Sequence, residues 1–190
     1  MKRIFVLLLC VLLAVHVCAC GNAEGGFETA ENGVSEWRKN LFGRYFLPEA
    51  ELADAFFQTM AGFVEHGDRD ALRELFSTNT VASCGDIESL IVELVDFYQG
   101  EMISWERYGP MSHTAREGDA YYKEICASYD ITTSADTYRL AFKLCIVDTE
   151  APENLGLHAV YIIKAEDSDP QLAYWGDGEW KSGVVIEGTE

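Results

Sequence analysis

Cys20 is the residue to which this 190-residue sequence assigns the most specific chemistry. Two basic residues, Lys2 and Arg3, precede an apolar run at residues 4–17, and two small residues, Cys18 and Ala19, lead directly to Cys20. A basic start, an apolar stretch and small residues before a cut are the features of an export signal. Because a cysteine thiol directly after such a cut accepts a diacylglyceryl group, the sequence predicts a cleaved signal peptide at residues 1–19 and a lipid on Cys20.

The stretch from Val17 to Cys20 also resembles the bacterial lipobox, in which the lipid-bearing cysteine follows the cut. Two other interpretations stay open: an uncleaved membrane helix, and an ordinary secreted protein in which Cys20 has no role. A spanning helix needs about 20 apolar residues, and residues 4–19 are too few. We therefore expect the chain to be held by the lipid on Cys20 at the extracytoplasmic face of a bacterial cell membrane.

Asp130 and His158 are the two candidates for general acid–base catalysis. Asp130 lies at a predicted strand end beside Tyr129, and a tyrosine next to a base can hold a developing oxyanion. His158 follows Gly156-Leu157 and projects into a pocket if its strand alternates in that sense. A packed or solvent-facing side chain is the commoner explanation for each candidate, because neither has a partner at a diagnostic spacing.

Four aromatic residues, Trp105, Tyr138, Trp175 and Trp180, are the candidates for lining a ligand pocket. Binding pockets are lined mainly by apolar and aromatic side chains, so these residues predict a ring-shaped or apolar ligand. Aromatic residues on strands also pack as core residues or cross-strand pairs, which is the alternative here.

Three cysteines remain once Cys20 carries lipid, namely Cys84, Cys126 and Cys145. Cys126 and Cys145 fall on outward positions of neighbouring predicted strands, directly opposite each other or on a diagonal according to the register. A disulfide between them is compatible with an oxidising compartment and would leave Cys84 as a free thiol, whereas the demanding geometry of a cross-strand bridge favours three free thiols. The sequence has no cysteine–histidine pattern with zinc spacing and no cofactor-binding motif, so we expect neither a metal site nor a cofactor.

The formal charge of the chain is strongly negative, at −18 for 14 basic and 32 acidic residues. Removal of residues 1–19 takes away two basic residues and no acid, so the mature chain would carry −20. Such a charge repels phosphate backbones, which excludes nucleic acid as an expected partner. With 48% apolar residues the chain can bury one core. We expect a flexible tether at residues 20–36 and a single domain at residues 37–190.

The first half of this domain has the periodicity of helices. Apolar residues at three- and four-residue steps predict a helix at residues 48–66. Asp68 and Asp86 are the predicted N-cap residues of a second and a third helix, and Gly100 ends the third. Residues 77–85 are predicted to be a break between these two helices.

The second half alternates apolar and polar residues, which predicts strands. The predicted strands cover residues 101–108, 119–131, 137–148 and 156–165, with a last pair at 172–175 and 183–186. Helices followed by an antiparallel meander indicate an α+β fold, in which the helices cover one face of a curved antiparallel sheet.

Several stretches carry a resemblance to known proteins: residues 86–88 and 96–100, Tyr138-Arg139-Leu140, Gly156-Leu157-His158, and residues 174–177 with 180–183. With the order of elements, they resemble the nuclear-transport-factor-2-like (cystatin-like) cone, and more closely uncharacterised Gram-positive lipoproteins that carry it as a domain of unknown function. The resemblance extends over residues 49–187. It implies a bent sheet that wraps the first helix, leaves a pocket and forms homodimers through its open face. The family has no assigned catalytic residues, so no site is transferred.

Two functions are compatible with these observations. The first is a non-catalytic surface lipoprotein that binds a small ligand or a protein partner in or on the cone. The alternative is a small isomerase, dehydratase or hydrolase that uses Asp130 or His158 as its base. A pocket filled by side chains would disfavour both pocket-based functions and leave a protein-interaction role.

Overall fold

The computed structural model describes residues 48–108, 111–168 and 180–187. The predicted signal peptide, Cys20, the tether, Trp175 and the predicted strand at residues 172–175 lie outside these ranges. Within them, four α-helices precede six β-strands, which confirms the α+β class.

The longest described helix, α1 (Glu49–His66), forms because apolar side chains recur at helical spacing along it. Glu49 and Glu51 lie in its first turn, where the positive end of the helix dipole favours acids. Gly67 ends it with a left-handed φ of 67°, and its N–H donates to the Val64 carbonyl. The helix predicted at residues 48–66 is therefore confirmed. Its buried side chains are Leu52, Ala53, Phe56, Phe57, Met60, Ala61, Phe63 and Val64.

Two further helices, α2 (Arg69–Leu75) and α4 (Ile87–Phe97), begin at the predicted caps. The carboxylates of Asp68 and Asp86 each accept the backbone N–H three residues further on, at 3.1 Å. The third predicted helix ends earlier than expected, at Phe97 and not at Gly100.

The predicted break at residues 77–85 is wrong, because it contains the short helix α3 (Thr78–Ser83). The Ser77 hydroxyl caps it by accepting the Thr80 N–H at 3.0 Å. The Ser77 N–H donates to the Leu157 carbonyl at 3.0 Å, which ties the start of the helix to the sheet. A tertiary contact therefore helps to position a helix whose own sequence is too short to be stable alone.

Six strands form one sheet. They are β1 (Met102–Arg107), β2 (Met111–Glu117), β3 (Ala120–Thr133), β4 (Thr137–Asp148), β5 (Gly156–Lys164) and β6 (Gly183–Ile186). The order is β1-β3-β4-β5-β6, with β2 also pairing with β3. All pairs are antiparallel except β5 with β6, which are parallel. The prediction of an antiparallel meander is therefore wrong for the last strand, β6, which runs parallel to β5. The sequence analysis also did not predict β2.

The edge of the sheet beside β3 is made of two successive strands. β1 pairs with residues 129–133 of β3, and β2 pairs with residues 120–126. The other edge of β3 pairs with β4. β1 and β2 are therefore two pieces of one edge, and no described strand pairs with their outer sides.

The sheet is curved and does not close into a barrel. Register shifts occur at Lys123/Glu124 between β3 and β4, and at Lys143/Leu144 between β4 and β5. An extra residue on one strand of a pair bends that strand and increases its twist. These two irregularities bend the sheet along its central strands.

The two faces of the sheet differ in what covers them. We call the face that packs against α1 the inner face, and the opposite one the outer face. On β3, Ile125, Ala127, Tyr129 and Ile131 belong to the core on the inner face. Side chains alternate along a strand, so Glu124, Cys126 and Asp130 lie on the outer face.

Candidate functional site

Trp105 and Tyr138, two of the four predicted pocket residues, pack on the inner face, Tyr138 within the core and the partly buried Trp105 against it. The Trp105 ring packs edge-on against Phe57 and Tyr129, with centroid distances of 5.4 and 5.6 Å. Tyr138 is fully buried and stacks on Tyr98 at 5.2 Å. Both residues therefore contribute packing to the inner face.

Trp180 lies on the outer face, away from Trp105 and Tyr138. Its ring packs edge-on against Tyr161 at 5.1 Å, within a small apolar cluster. Trp175 lies outside the described residues. The structure thus separates Trp180 from Trp105 and Tyr138, which both lie on the inner face.

Aromatic rings fill the space between α1 and the inner face. Phe57 stacks on Tyr129 with a centroid distance of 3.9 Å, and Phe56 packs against Phe142 at 4.9 Å. All four side chains are fully buried. These four rings pack α1 directly against the inner face of the sheet.

Asp130, the first predicted base, forms a polar network on the outer face that we call the Asp130 network. Its carboxylate accepts from Arg139 Nε at 3.0 Å and from the Tyr108 hydroxyl at 2.5 Å. The Arg139 guanidinium also lies over the Tyr108 ring, 5.0 Å from its centroid. The carboxylate is therefore paired, and it points away from α1.

His158, the second predicted base, lies at the irregularity between β4 and β5. The register passes from Lys143↔Ala159 to Leu144↔Leu157, which leaves His158 without a direct partner on β4. Its Nε2–H donates to the Asn154 carbonyl at 2.6 Å. Its Nδ1 lies 3.7 Å from a carboxylate oxygen of Glu124. The bulge thus turns the imidazole towards the outer-face acid and not into the core.

Glu124 is the centre of a second polar group on the outer face, the Glu124 cluster, which consists of Tyr122, Glu124, Cys126, Lys143 and His158. The Tyr122 hydroxyl donates to Glu124 Oε2 at 2.5 Å, and Lys143 Nζ lies 3.2 Å from Oε1. The Cys126 thiol lies 3.9 Å from the same Oε1. Residues from three strands therefore meet at the carboxylate of Glu124, a residue that is only 5% exposed.

The surroundings of Glu124 keep its carboxylate ionised. Burial acts to raise the pKa, but the partnership with His158, the hydrogen bond from Tyr122 and the charge of Lys143 lower it, to about 2. At neutral pH the group is therefore an anion with a proton affinity too low for an effective general base.

The Tyr122 phenol and the Cys126 thiol of the cluster are poor nucleophiles. Burial, followed by the hydrogen bond to Glu124, raises the pKa of the Tyr122 phenol. Burial, followed by the Glu124 charge, raises the pKa of the Cys126 thiol to about 12. For the neighbouring Cys145 thiol, burial and the charge of Asp148 raise the pKa to about 12. Because the thiolate is the reactive form, neither thiol is activated.

Cys126 and Cys145 stand on a diagonal of the β3–β4 ladder. Cys126 is opposite Lys143, and Cys145 is opposite Glu124. Both are free thiols, as is Cys84. Of the two arrangements compatible with the sequence, the structure therefore has the diagonal one.

A third polar group joins α1 to the sheet. Arg107 Nη1 lies 2.6 Å from Asp54 Oδ2, and the Tyr129 hydroxyl donates to Asp54 Oδ1 at 3.0 Å. Burial, followed by the Asp54 charge, raises the pKa of Tyr129. This triad anchors the helix to β1 and β3.

Sequence reasoning missed both Glu124 and the Asp54 triad. Their members lie on different elements, and only the strand register and the packing of α1 on the sheet bring them together. The one local signal was the alternation of Tyr122, Glu124 and Cys126 on one face of a strand. That signal indicates a polar outer face but not which residues it meets.

No group of three or more His, Cys, Asp or Glu side chains in the described ranges is arranged to hold a metal ion. Within the same ranges, none of the helices combines the length and apolar character that a membrane crossing requires.

Residues 60–165 match the model of a family described as a domain of unknown function (DUF5104). The match covers more than half of the 190 residues and runs from α1 to the end of β5, so the chain belongs to this family. The Glu124 cluster and the Asp130 network lie entirely within the matched region. No curated protein matches the chain.

Proposed function

We propose that this member of the DUF5104 family is a lipid-anchored extracytoplasmic domain that binds a partner on its surface and does not catalyse a reaction in a pocket. The observation that carries the proposal is the filled inner face, where Phe57 and Tyr129 stack at 3.9 Å. A ligand that entered there would have to displace buried aromatic side chains, each of which contributes roughly 1.5–3 kcal/mol.

The proposal includes the nuclear-transport-factor-2-like cone as the finer description of the fold. Its support is a curved, open sheet whose inner face packs against the longest described helix. In this version of the cone, the interior serves as a core. The surface is then the part of the molecule that remains for recognition.

The enzymatic alternative needs a free base that faces a cavity. Asp130 is paired with Arg139, and His158 donates to a backbone carbonyl beside the ionised Glu124. Both residues face the outer side of the sheet. Their engagement supports the non-catalytic function over an isomerase, a dehydratase or a hydrolase.

The anchor is tested with two cysteines that stand two residues apart. Replacing Cys20 with alanine should abolish incorporation of labelled fatty acid and remove the chain from the membrane fraction. Cys18→Ala is the matched control, since it also removes one thiol beside the predicted cleavage site. It should leave both the labelling and the membrane association unchanged. Retention and labelling of the Cys20→Ala chain would disprove the anchor.

The non-catalytic part of the proposal is tested separately, with a library of small metabolites screened by thermal shift. We expect no compound that is both stabilising and turned over. A compound that is converted by the wild-type chain, and no longer converted after His158→Ala or Asp130→Asn, would establish the enzymatic alternative.

A further inference from the structure

The β2 strand is exposed on both faces. Every described side chain from Ser112 to Glu117 is exposed, although all seven β2 residues pair with β3 in an unbroken register. One side of the β2 backbone is thus satisfied by β3, and no described strand pairs with the other side. An unpaired, regular edge is a template for the addition of another strand.

The neighbouring piece of the same edge, β1, carries features that discourage pairing. Its register is interrupted between Met102 and Ser104, and charged Glu106 and Arg107 stand at its end. Bulges and charges are the usual protection of edge strands. β2 has no register shift and carries charge only at its final two residues, Arg116 and Glu117.

Charge indicates which partner fits this edge. The chain carries −18 overall, so two copies repel each other over most of their surfaces. Between Glu106 and Glu117 the sequence has no acid at all. The β2 edge is therefore a place where two copies can approach with little repulsion.

The sequence of β2 is also compatible with pairing to itself. The longest antiparallel pairing of the strand with a second copy places a two-fold axis at Thr114. Thr114 then stands opposite the partner's Thr114, and Arg116 opposite the partner's Ser112. Threonine pairs are favourable across strands, and no like charges face each other directly.

From these observations we infer that two copies of this chain associate through antiparallel pairing of their β2 strands, forming one continuous sheet across a two-fold axis. This interface is an edge and not the open face of the sheet. It goes beyond the proposed function, which does not depend on it.

The first test measures the mass of the full-length chain in density-matched detergent by sedimentation equilibrium. The wild type should be dimeric, and Thr114→Lys should raise the dissociation constant at least about tenfold, because two lysines would face each other. The substitution makes the chain less negative, so weaker association cannot come from overall repulsion. Ser104→Lys, an exposed change of equal charge on β1, should leave the dimer intact.

The second test places a thiol on the predicted axis. In membranes that contain the full-length Thr114→Cys chain, a mild copper oxidant should produce a covalent dimer on a non-reducing gel, whereas Ser104→Cys should not. A monomeric wild type, an undiminished dimer of Thr114→Lys, or equal cross-linking at residues 104 and 114 would each overturn the inference. Pairing of β2 with a strand of a different protein would appear as a monomeric wild type.

Discussion

On the inner face of the sheet Phe57 and Tyr129 stack at 3.9 Å, whereas on the outer face Glu124 is surrounded by Tyr122, Lys143 and His158. The same strand, β3, supplies residues to both faces. The inner face is stabilised by apolar burial, and the outer face by paired charges together with a small apolar cluster around Tyr161. The acid–base residues of the outer face are therefore paired structural groups, and the polar triad that borders the inner face, Asp54, Arg107 and Tyr129, is itself paired and ties α1 to the sheet.

The largest effect should come from the inner face. Ile162→Ala removes a fully buried side chain and should cost about 2–5 kcal/mol of unfolding free energy, measured by urea denaturation. Ile103→Ala makes the same chemical change at a strand residue that is 68% exposed, and should cost no more than about 0.5 kcal/mol. Equal losses for the two variants would contradict the assignment of the core.

On the outer face, Glu124→Gln should cost about 1.5–3 kcal/mol, because a neutral amide cannot replace the anion that Lys143 faces. Glu88→Gln is the matched control, since its ion pair with Arg73 is largely exposed and should be worth at most about 1 kcal/mol. If Glu124→Gln were as harmless as Glu88→Gln, the Glu124 cluster would not stabilise the sheet.

The contribution of Glu124 should depend on pH in a defined direction. The pKa of Glu124 is about 2 in the folded chain, against 4.5 for an unperturbed glutamate such as that of the unfolded chain. The stabilisation is therefore complete above pH 4.5. It should be lost as the pH falls from 4.5 to about 2, because protonation then removes the advantage of the folded state. The difference in unfolding free energy between wild type and Glu124→Gln should shrink over this window. A difference that grows towards low pH would refute the lowered pKa.

Smaller effects distinguish two tyrosines that stack on each other. Tyr138→Phe should cost about 1–3 kcal/mol, because the hydroxyl accepts the Gln99 N–H and donates to the Phe97 carbonyl. Tyr98→Phe should be neutral or stabilising, since its buried hydroxyl has no hydrogen-bond partner among the described residues. Chemical denaturation of both variants tests the pair, and the opposite order of stabilities would be inconsistent with this packing.

Local signals in the sequence predicted much of the fold. The caps at Asp68 and Asp86 are hydrogen bonds from a side chain to the backbone three residues further on, which the local sequence reveals. Apolar and polar residues alternate along β4, and its predicted bounds at residues 137–148 are confirmed. β2 was missed because both of its faces are exposed, so that no apolar alternation marks it. α3 was missed because five of its six residues are weak helix formers, and the helix depends on its cap at Ser77.

The outer-face residues were harder to predict for a different reason. Tyr122, Lys143 and His158 meet Glu124 only because two register shifts bring three strands into a particular alignment. The register of two strands decides which side chains face each other, and it is set by both strands together and not by the local sequence of either one. The sequence therefore indicated His158 as a polar residue on a strand but not its place beside Glu124.

The central claim is that the inner face is a filled core and not a ligand site. Methyl-labelled NMR spectra of the wild-type chain, titrated with a mixture of small aromatic and aliphatic compounds, test it directly. The resonances of Leu140 and Ile162, both buried on the inner face, should not move as compounds are added. Saturable shifts confined to these inner-face methyl groups would contradict the claim and restore a pocket-based function.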